Sequence, residues 1–315
     1  MKRRTLGGTG LEVSELGFGA SPLGAVYGAF AERDGIDAVH TALDLDICFF
    51  DVSPYYGATL AETVLGKALR GVDRSAYVLA TKVGRYGDDD FDFGAERVER
   101  SVHESLRRLR TDHLDLVQCH DIEFGDLDLI VEETIPALRA MQAAGLVRAV
   151  GVTGYPLDAL EYVTTRIPAD TVMSYCQYTV QDRRLAQYAR RFARGGTAVI
   201  NASPLAMGAL TERGPAAWHP APAAVLERCA AAAALCRARG TDIARIALQF
   251  AVTTGGFTST VFGTSSAQKV RDTVAWLNRP MDEDLLHAVE ECLAPVRDQG
   301  WTNGRPENQH PERRP

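Results

Sequence analysis

Along residues 94–110, Val98, Val102, Leu106 and Leu109 recur at three- and four-residue intervals, and charged side chains fill the positions between them. That spacing predicts an amphipathic helix. Weaker versions of the same period occur at 32–45, 60–70, 127–144, 156–165, 182–194, 223–239, 241–253 and 266–278, with a further one at 282–296. Between them lie short runs, 16–20, 47–51, 76–82, 114–120, 147–153, 171–177, 197–203 and 259–263, that are apolar at most positions. Strands covered on both faces have this pattern, whereas strands with one wet face alternate. Eight such strands, each followed by helix, predict a (β/α)8 barrel, an α/β fold with a single parallel sheet closed on itself. A doubly wound open sheet is the alternative.

The segment "RRTLGGTGLEVS" reads as a β-hairpin ahead of the first barrel strand. Residues 1–315 are expected to form one domain, with an extra helix near the C-terminus and a flexible polar tail at 297–315. The Pro- and Gly-rich passage 204–222 is long for a plain connection, so a functional loop is expected there.

Composition narrows the class. Apolar residues make up 46% and charged residues 24%, as in ordinary globular chains. The formal charge is −7, with basic residues clustered only at the end, which argues against nucleic acid or an anionic membrane as main partner. No run approaches the roughly 18 apolar residues of a membrane span. No apolar segment follows the basic start "MKRR", so no signal peptide is read and a cytoplasmic location is expected. Cys48, Cys119, Cys176, Cys229, Cys236 and Cys292 are scattered, without Cys-x-x-Cys. Buried free thiols are expected rather than disulfides, and the scattered histidines suggest no metal site. The expected assembly is a monomer or a small homo-oligomer.

Barrel active sites lie at the C-terminal ends of the strands. The run 47–51 ends in Asp51, with Tyr56 in the loop beyond. The run 76–82 ends in Lys82, 114–120 in His120, 147–153 in Thr153 and 171–177 in Gln177. Taken singly, each has a plain reading: Asp51 a turn former, Tyr56 a packed aromatic, Lys82 a solvated strand end, His120 a structural histidine. Together they suit proton transfer to or from a hydroxyl or carbonyl. Tyrosine is a poor acid or base near neutrality unless its phenolate is stabilised, which Lys82 could do. A buried lysine needs an anion, which Asp51 could supply. His120 could hold a substrate oxygen or help relay the proton.

The chain resembles the aldo-keto reductases over nearly its whole length. "FDVSPYYG", "ATK", "CHD" and "NASPLAMGAL" match that family's motifs in order and spacing. The resemblance implies a catalytic tetrad of Asp51, Tyr56, Lys82 and His120, with Tyr56 as proton carrier. Within the family, "GFGASPLG", "FFDVSPYYG", "CHDIEFG" and "ASPLAMG" look most like the L-galactose dehydrogenase group; L-fucose and threo-aldose dehydrogenases share fewer blocks. By resemblance the reaction is oxidation of a sugar's C1 hydroxyl to a lactone, with hydride passed to a nicotinamide.

The near-glycine motif "GFGASP" has Pro22 where a dinucleotide fingerprint needs its third glycine, so no Rossmann fold is read. The family likeness instead assigns Thr153 and Gln177 to the nicotinamide amide. It assigns Ser203, Pro204, Leu205, Gly263, Thr264, Ser265 and Ser266 to the phosphates, with Lys269 and Asp272 toward the adenosine end. Two departures stand out. Ala202 occupies the place of an aromatic that stacks on nicotinamide in many relatives. Gly263 and Lys269 stand where NADPH-preferring members often carry lysine and arginine, which favours NAD over NADP. The rivals are an NADPH-dependent carbonyl reductase and a non-catalytic nicotinamide-binding subunit.

Overall fold

The computed structural model describes residues 1–311. An antiparallel pair, β1 (Arg3–Thr5) and β2 (Glu12–Ser14), opens the chain. Then follow β3 (Leu16–Gly19), α1 (Glu32–Asp44), β4 (Phe49–Asp51), α2 (Leu60–Ala68), β5 (Val78–Val83), α3 (Ala95–Leu109) and β6 (Leu114–Cys119). The expected helix at 127–144 is divided into α4 (Leu127–Leu129), a π-helical turn (Ile130–Thr134) and α5 (Ile135–Ala143). Pro136 has no amide hydrogen to continue the ordinary ladder, and the widened turn lies just before it.

The second half adds β7 (Val147–Gly154), α6 (Leu157–Arg166), β8 (Thr171–Tyr175), α7 (Leu185–Arg194), β9 (Ala198–Ala202), α8 (Ala223–Ala238), α9 (Ile243–Thr253), β10 (Ser259–Gly263), α10 (Ala267–Leu277) and α11 (Glu283–Leu293). Strands β3 to β10 run parallel in chain order and close where β10 pairs with β3. The fold is therefore a (β/α)8 barrel with an N-terminal hairpin, and the open-sheet alternative is excluded.

Side chains alternate between the barrel interior and the helical layer. Phe49, Val78, Ala80, Leu116, Ala149, Met173, Ala198, Ile200 and Val261 pack together inside, closed below by Leu6, Leu11 and Val13 of the hairpin region. Their neighbours Phe50, Leu79, Val117, Val150, Val172, Val199 and Phe262 belong to the outer core. Asp51, Lys82 and Gln118 each lie two residues beyond an inner apolar residue, so the same alternation turns them inward at the far end. A one-residue slip in register would point each of them into the helices. Glycine makes room for this packing: a Cβ at Gly17 would lie 2.8 Å from Phe49 Cδ1.

The expectation of a flexible tail is corrected over 297–311; its last residues, 312–315, lie outside the described residues. Asp298 N donates to Gln181 O, and Asp298 Oδ1 accepts from Arg183 N at 2.7 Å. Trp301 stacks on Tyr155 with centroids 4.3 Å apart. Asn308 is fully buried and donates to Glu123 O and Gly125 O, each at 2.9 Å. The polar side chains of this segment bond backbone and side-chain groups of the barrel loops, which fixes it across the strand ends. The cysteines are all free, and all but the partly buried Cys292 are buried.

Candidate active site at the C-terminal end of the barrel

Lys82 is sealed inside the barrel, 1% exposed. Its Nζ donates to Asp51 Oδ2 at 2.6 Å and to Val52 O at 2.9 Å. Asp51 Oδ1 accepts from Gln118 Nε2 at 3.2 Å. Strands β4, β5 and β6 are neighbours, so the three groups meet through register alone. Burial pushes the Asp51 carboxyl above the ordinary carboxylate value, and Lys82 and Gln118 pull the other way. An ion pair this dry stands only because each charge has its partner.

Tyr56 lies beyond β4, its ring 5.0 Å from Lys82 Nζ at the centroid and edge-on to His120 at 5.6 Å. Two glycines set its position. A Cβ on Gly57 (φ +63°) would fall 2.2 Å from Gly24 O, and one on Gly24 would fall 2.5 Å from the Tyr56 carbonyl. The loops after β3 and β4 thus lie backbone to backbone. Burial, then the charge of Asp51, pushes the Tyr56 phenol well above its ordinary value, with Arg85 opposing. Lys82, the residue expected to steady its phenolate, lies against the ring and is paired with Asp51. The phenol is thus the form favoured at rest.

His120 follows β6. Burial lowers its pKa to about 3, so the ring is neutral at physiological pH. Ser53 Oγ stands 2.9 Å from Nδ1 and accepts the Tyr55 amide at 3.1 Å. With that amide already donating to it, the hydroxyl is best used as donor to Nδ1. The tautomer this assigns carries its proton on Nε2.

Several neighbours were not singled out from the sequence. Arg85 Nη1 donates to Asp121 Oδ2 at 2.6 Å, and its guanidinium lies 3.8 Å from the Tyr55 ring centroid. Asp121 Oδ2 is 3.6 Å from His120 Nε2. Tyr175 is the register partner of Ala202, so an aromatic ring stands one strand away from the missing stacker. Its hydroxyl accepts from Asn303 Nδ2 at 2.8 Å. For Ser53 and Asp121 the available signal was adjacency to a candidate; for Arg85 it was only its place in the loop 85–93, where substrate specificity is expected to lie.

The residues expected at a dinucleotide lie along β7 to β10 and the loops after them. Thr153 and Gln177 are buried; Thr153 Oγ1 accepts from Asp121 N at 3.2 Å, and Gln177 Oε1 from Ser174 Oγ at 3.1 Å. After β9, Ser203, Ala206 and Met207 all have left-handed backbone (φ 54°, 46° and 47°) around Pro204 and Leu205. Three strained non-glycine residues within five positions mark this loop as a candidate binding element. Gly263 is exposed at the end of β10, and a Cβ there would lie 3.1 Å from Pro22 Cδ. Thr264 Oγ1 accepts from Ser266 N at 3.2 Å, and Ser266 caps α10 through Lys269 N at 3.4 Å. Ser265 lies between them. A side-chain-free rim beside the uncommitted first amides of a helix fits a phosphate. Lys269 is exposed, and Asp272 Oδ1 accepts from Gln268 Nε2 at 2.8 Å.

Comparison with known proteins identifies the family. The chain is 47% identical to the L-galactose dehydrogenase of Arabidopsis thaliana over 314 residues, covering 97% of this chain and 98% of that one. It is 33% identical to the D-arabinose 1-dehydrogenase of Saccharomyces cerevisiae, over 75% of this chain and 74% of the relative. Among solved structures, the holo form of a Bacillus halodurans aldo-keto reductase superposes with a TM-score of 0.78 at 26% identity, covering 98% and 99% of the two chains. The aldo/keto reductase family model matches residues 15–294, and the chain belongs to that family of oxidoreductases.

Proposed function

We propose that the protein oxidises the C1 hydroxyl of an aldose, L-galactose before L-fucose, to the lactone. The observation carrying this reading is the meeting of Asp51, Tyr56, Lys82 and His120 at one barrel end, in a chain 47% identical to an L-galactose dehydrogenase. When bound, NAD would supply a two-electron hydride acceptor. Thr153 and Gln177 would hold its amide, and the 203–205 and 263–266 backbones its phosphates. Lys269 and Asp272 would lie toward the adenosine.

Tyr56, in its phenolate form, takes the proton from the C1 oxygen as the C1–H bond gives up its electron pair. His120, donating from Nε2, holds that oxygen and supports the charge it develops. The Lys82–Asp51 pair keeps a fixed positive end beneath the phenol ring. The absence of a lysine at 263 supports NAD over NADP, since a 2′-phosphate needs cationic partners.

The test is formation of reduced cofactor from a panel of aldoses at pH 7 to 9, with NAD and NADP compared by kcat/KM. L-Galactose with NAD should give the highest value. Rapid reduction of simple aldehydes with NADPH, and no oxidation of either sugar, would favour the carbonyl reductase instead.

A further inference from the structure

Beside the reacting groups lies a second charged pair that the proposed chemistry does not use. Asp121 follows His120 directly, in left-handed backbone (φ 50°), and its amide is fixed by Thr153 Oγ1 at 3.2 Å. Its side chain is 7% exposed and that of its partner Arg85 is 15% exposed. The guanidinium sits among three rings, 3.8 Å from Tyr55, 5.2 Å from Phe91 and 5.3 Å from Phe124. Phe91 and Phe124 stack on each other at 4.6 Å, so the cage is itself braced. Taking an ion pair this far out of water costs free energy that hydrophobic residues of the same volume would not cost. Among the described residues, Asp121 Oδ1 and Arg85 Nη2 take no further hydrogen-bond partner, yet neither is sealed from solvent.

We propose that Arg85 and Asp121 form the subsite that reads the sugar hydroxyl next to the reacting carbon. The proposal rests on the aldose-dehydrogenase reading above. Asp121 Oδ2 lies 3.6 Å from His120 Nε2. An oxygen held by Nε2 therefore has its vicinal oxygen within reach of the carboxylate. In a cyclic aldose two oxygens compete for that place, the ring ether on C1 itself and the vicinal C2 hydroxyl. The carboxylate accepts hydrogen bonds and donates none, so it repels the ether and takes the hydroxyl. Arg85 donates to the same hydroxyl oxygen, which satisfies both of its capacities. The pair thus sets which way round the ring lies, as well as whether it binds.

The experiment compares kcat/KM for L-galactose and 2-deoxy-L-galactose in the wild type, Asp121→Asn and Arg85→Met, with NADH binding by fluorescence as the check on folding. A site built to bond a hydroxyl rejects the analogue lacking it strongly, and less so where its own groups stay paired to each other. The wild type should prefer L-galactose by about 100-fold or more. In both variants the preference should fall below about tenfold, mainly through loss of the L-galactose reaction. A wild-type ratio near one overturns the subsite, as does an unchanged ratio in whichever variant still binds NADH. A wild type that oxidises neither sugar overturns the subsite together with the reading beneath it.

Discussion

Replacing Lys82 by methionine removes the charge opposite Asp51 and keeps most of the volume. Asp51 would be left 4% exposed, with only the Gln118 amide for company. Removing one member of a buried ion pair costs about 3–5 kcal/mol, because the other charge stays desolvated. Unfolding entropy of about 2.1 cal/mol/K per residue, over 315 residues, converts that loss to a fall in Tm of about 5–8 °C.

The loss depends on pH with a definite sign. Burial already raises the Asp51 pKa in the wild type against the pull of Lys82. Without Lys82 the folded pKa rises further above the unfolded value. The folded variant then binds more protons than the unfolded chain, so its stability falls as pH rises from about 4 through the folded pKa, by at most about 1.4 kcal/mol per unit. Thermal unfolding at pH 5 and pH 8 measures this, and the deficit should be larger at pH 8. Asp51→Asn in the Lys82→Met background should recover most of the stability and none of the turnover, since no charge remains to be stranded. A Lys82→Met protein as stable as wild type at pH 8, or a double variant less stable than the single, would refute the reasoning.

Tyr56→Phe should lower kcat by about 10²–10⁴-fold while NADH affinity is kept, because only the transferable proton is lost. Steady-state rates and fluorescence titration separate the two effects. Gly57→Ala must push Tyr56 off the Gly24 backbone, 2.2 Å from the new Cβ, and kcat should fall at least about tenfold with cofactor affinity retained. Oxidation should speed up from pH 6 to pH 9, because the raised pKa of Tyr56 leaves the proton-accepting form scarce at low pH. No acid limb from His120 should appear between pH 5 and 7, since its pKa lies near 3; an acid limb lost in His120→Asn would contradict the neutral ring.

The barrel was legible because buried parallel strands have a composition of their own and because helix follows each of the eight barrel strands. The inner placement of Asp51, Lys82 and His120 was legible for the same reason: a polar residue ending an apolar strand lies at the active-site end. What the sequence could not carry was pairing across loops. Arg85 and Asp121 are 36 residues apart and meet only once β5 and β6 are side by side. The Lys82–Asp51 pairing was legible, since a buried lysine needs an anion and Asp51 supplies it at 2.6 Å; the burial that raises the Tyr56 pKa appears only in the fold. The segment after 297 looked solvated because it is polar. Yet it contains Trp301, an apolar surface needing cover, and Asn303 and Asn308, whose amides serve Glu123 and its carbonyl.

The division between strands and loops bears on where specificity can change. The inner groups are set by strand register, which cannot shift without turning Lys82 out of the barrel. The mouth is built differently, from separate segments that each contribute a ring: Tyr55 and Phe91 around Arg85, Trp218 against Tyr27 at 5.8 Å, and Trp301 on Tyr155. His219 ties two of these segments together. Its Nε2 faces Ala206 O at 3.0 Å, its Nδ1 accepts from Ala221 N at 3.2 Å, and its ring meets Trp301 edge-on at 5.7 Å. With both nitrogens committed to the backbone, it serves as a brace and has no proton to exchange with a substrate. Changes in the mouth can therefore alter which sugar fits while the ion pair, the phenol and the imidazole keep their spacing. A change at a strand end has no such freedom, and its cost falls on turnover whatever the sugar.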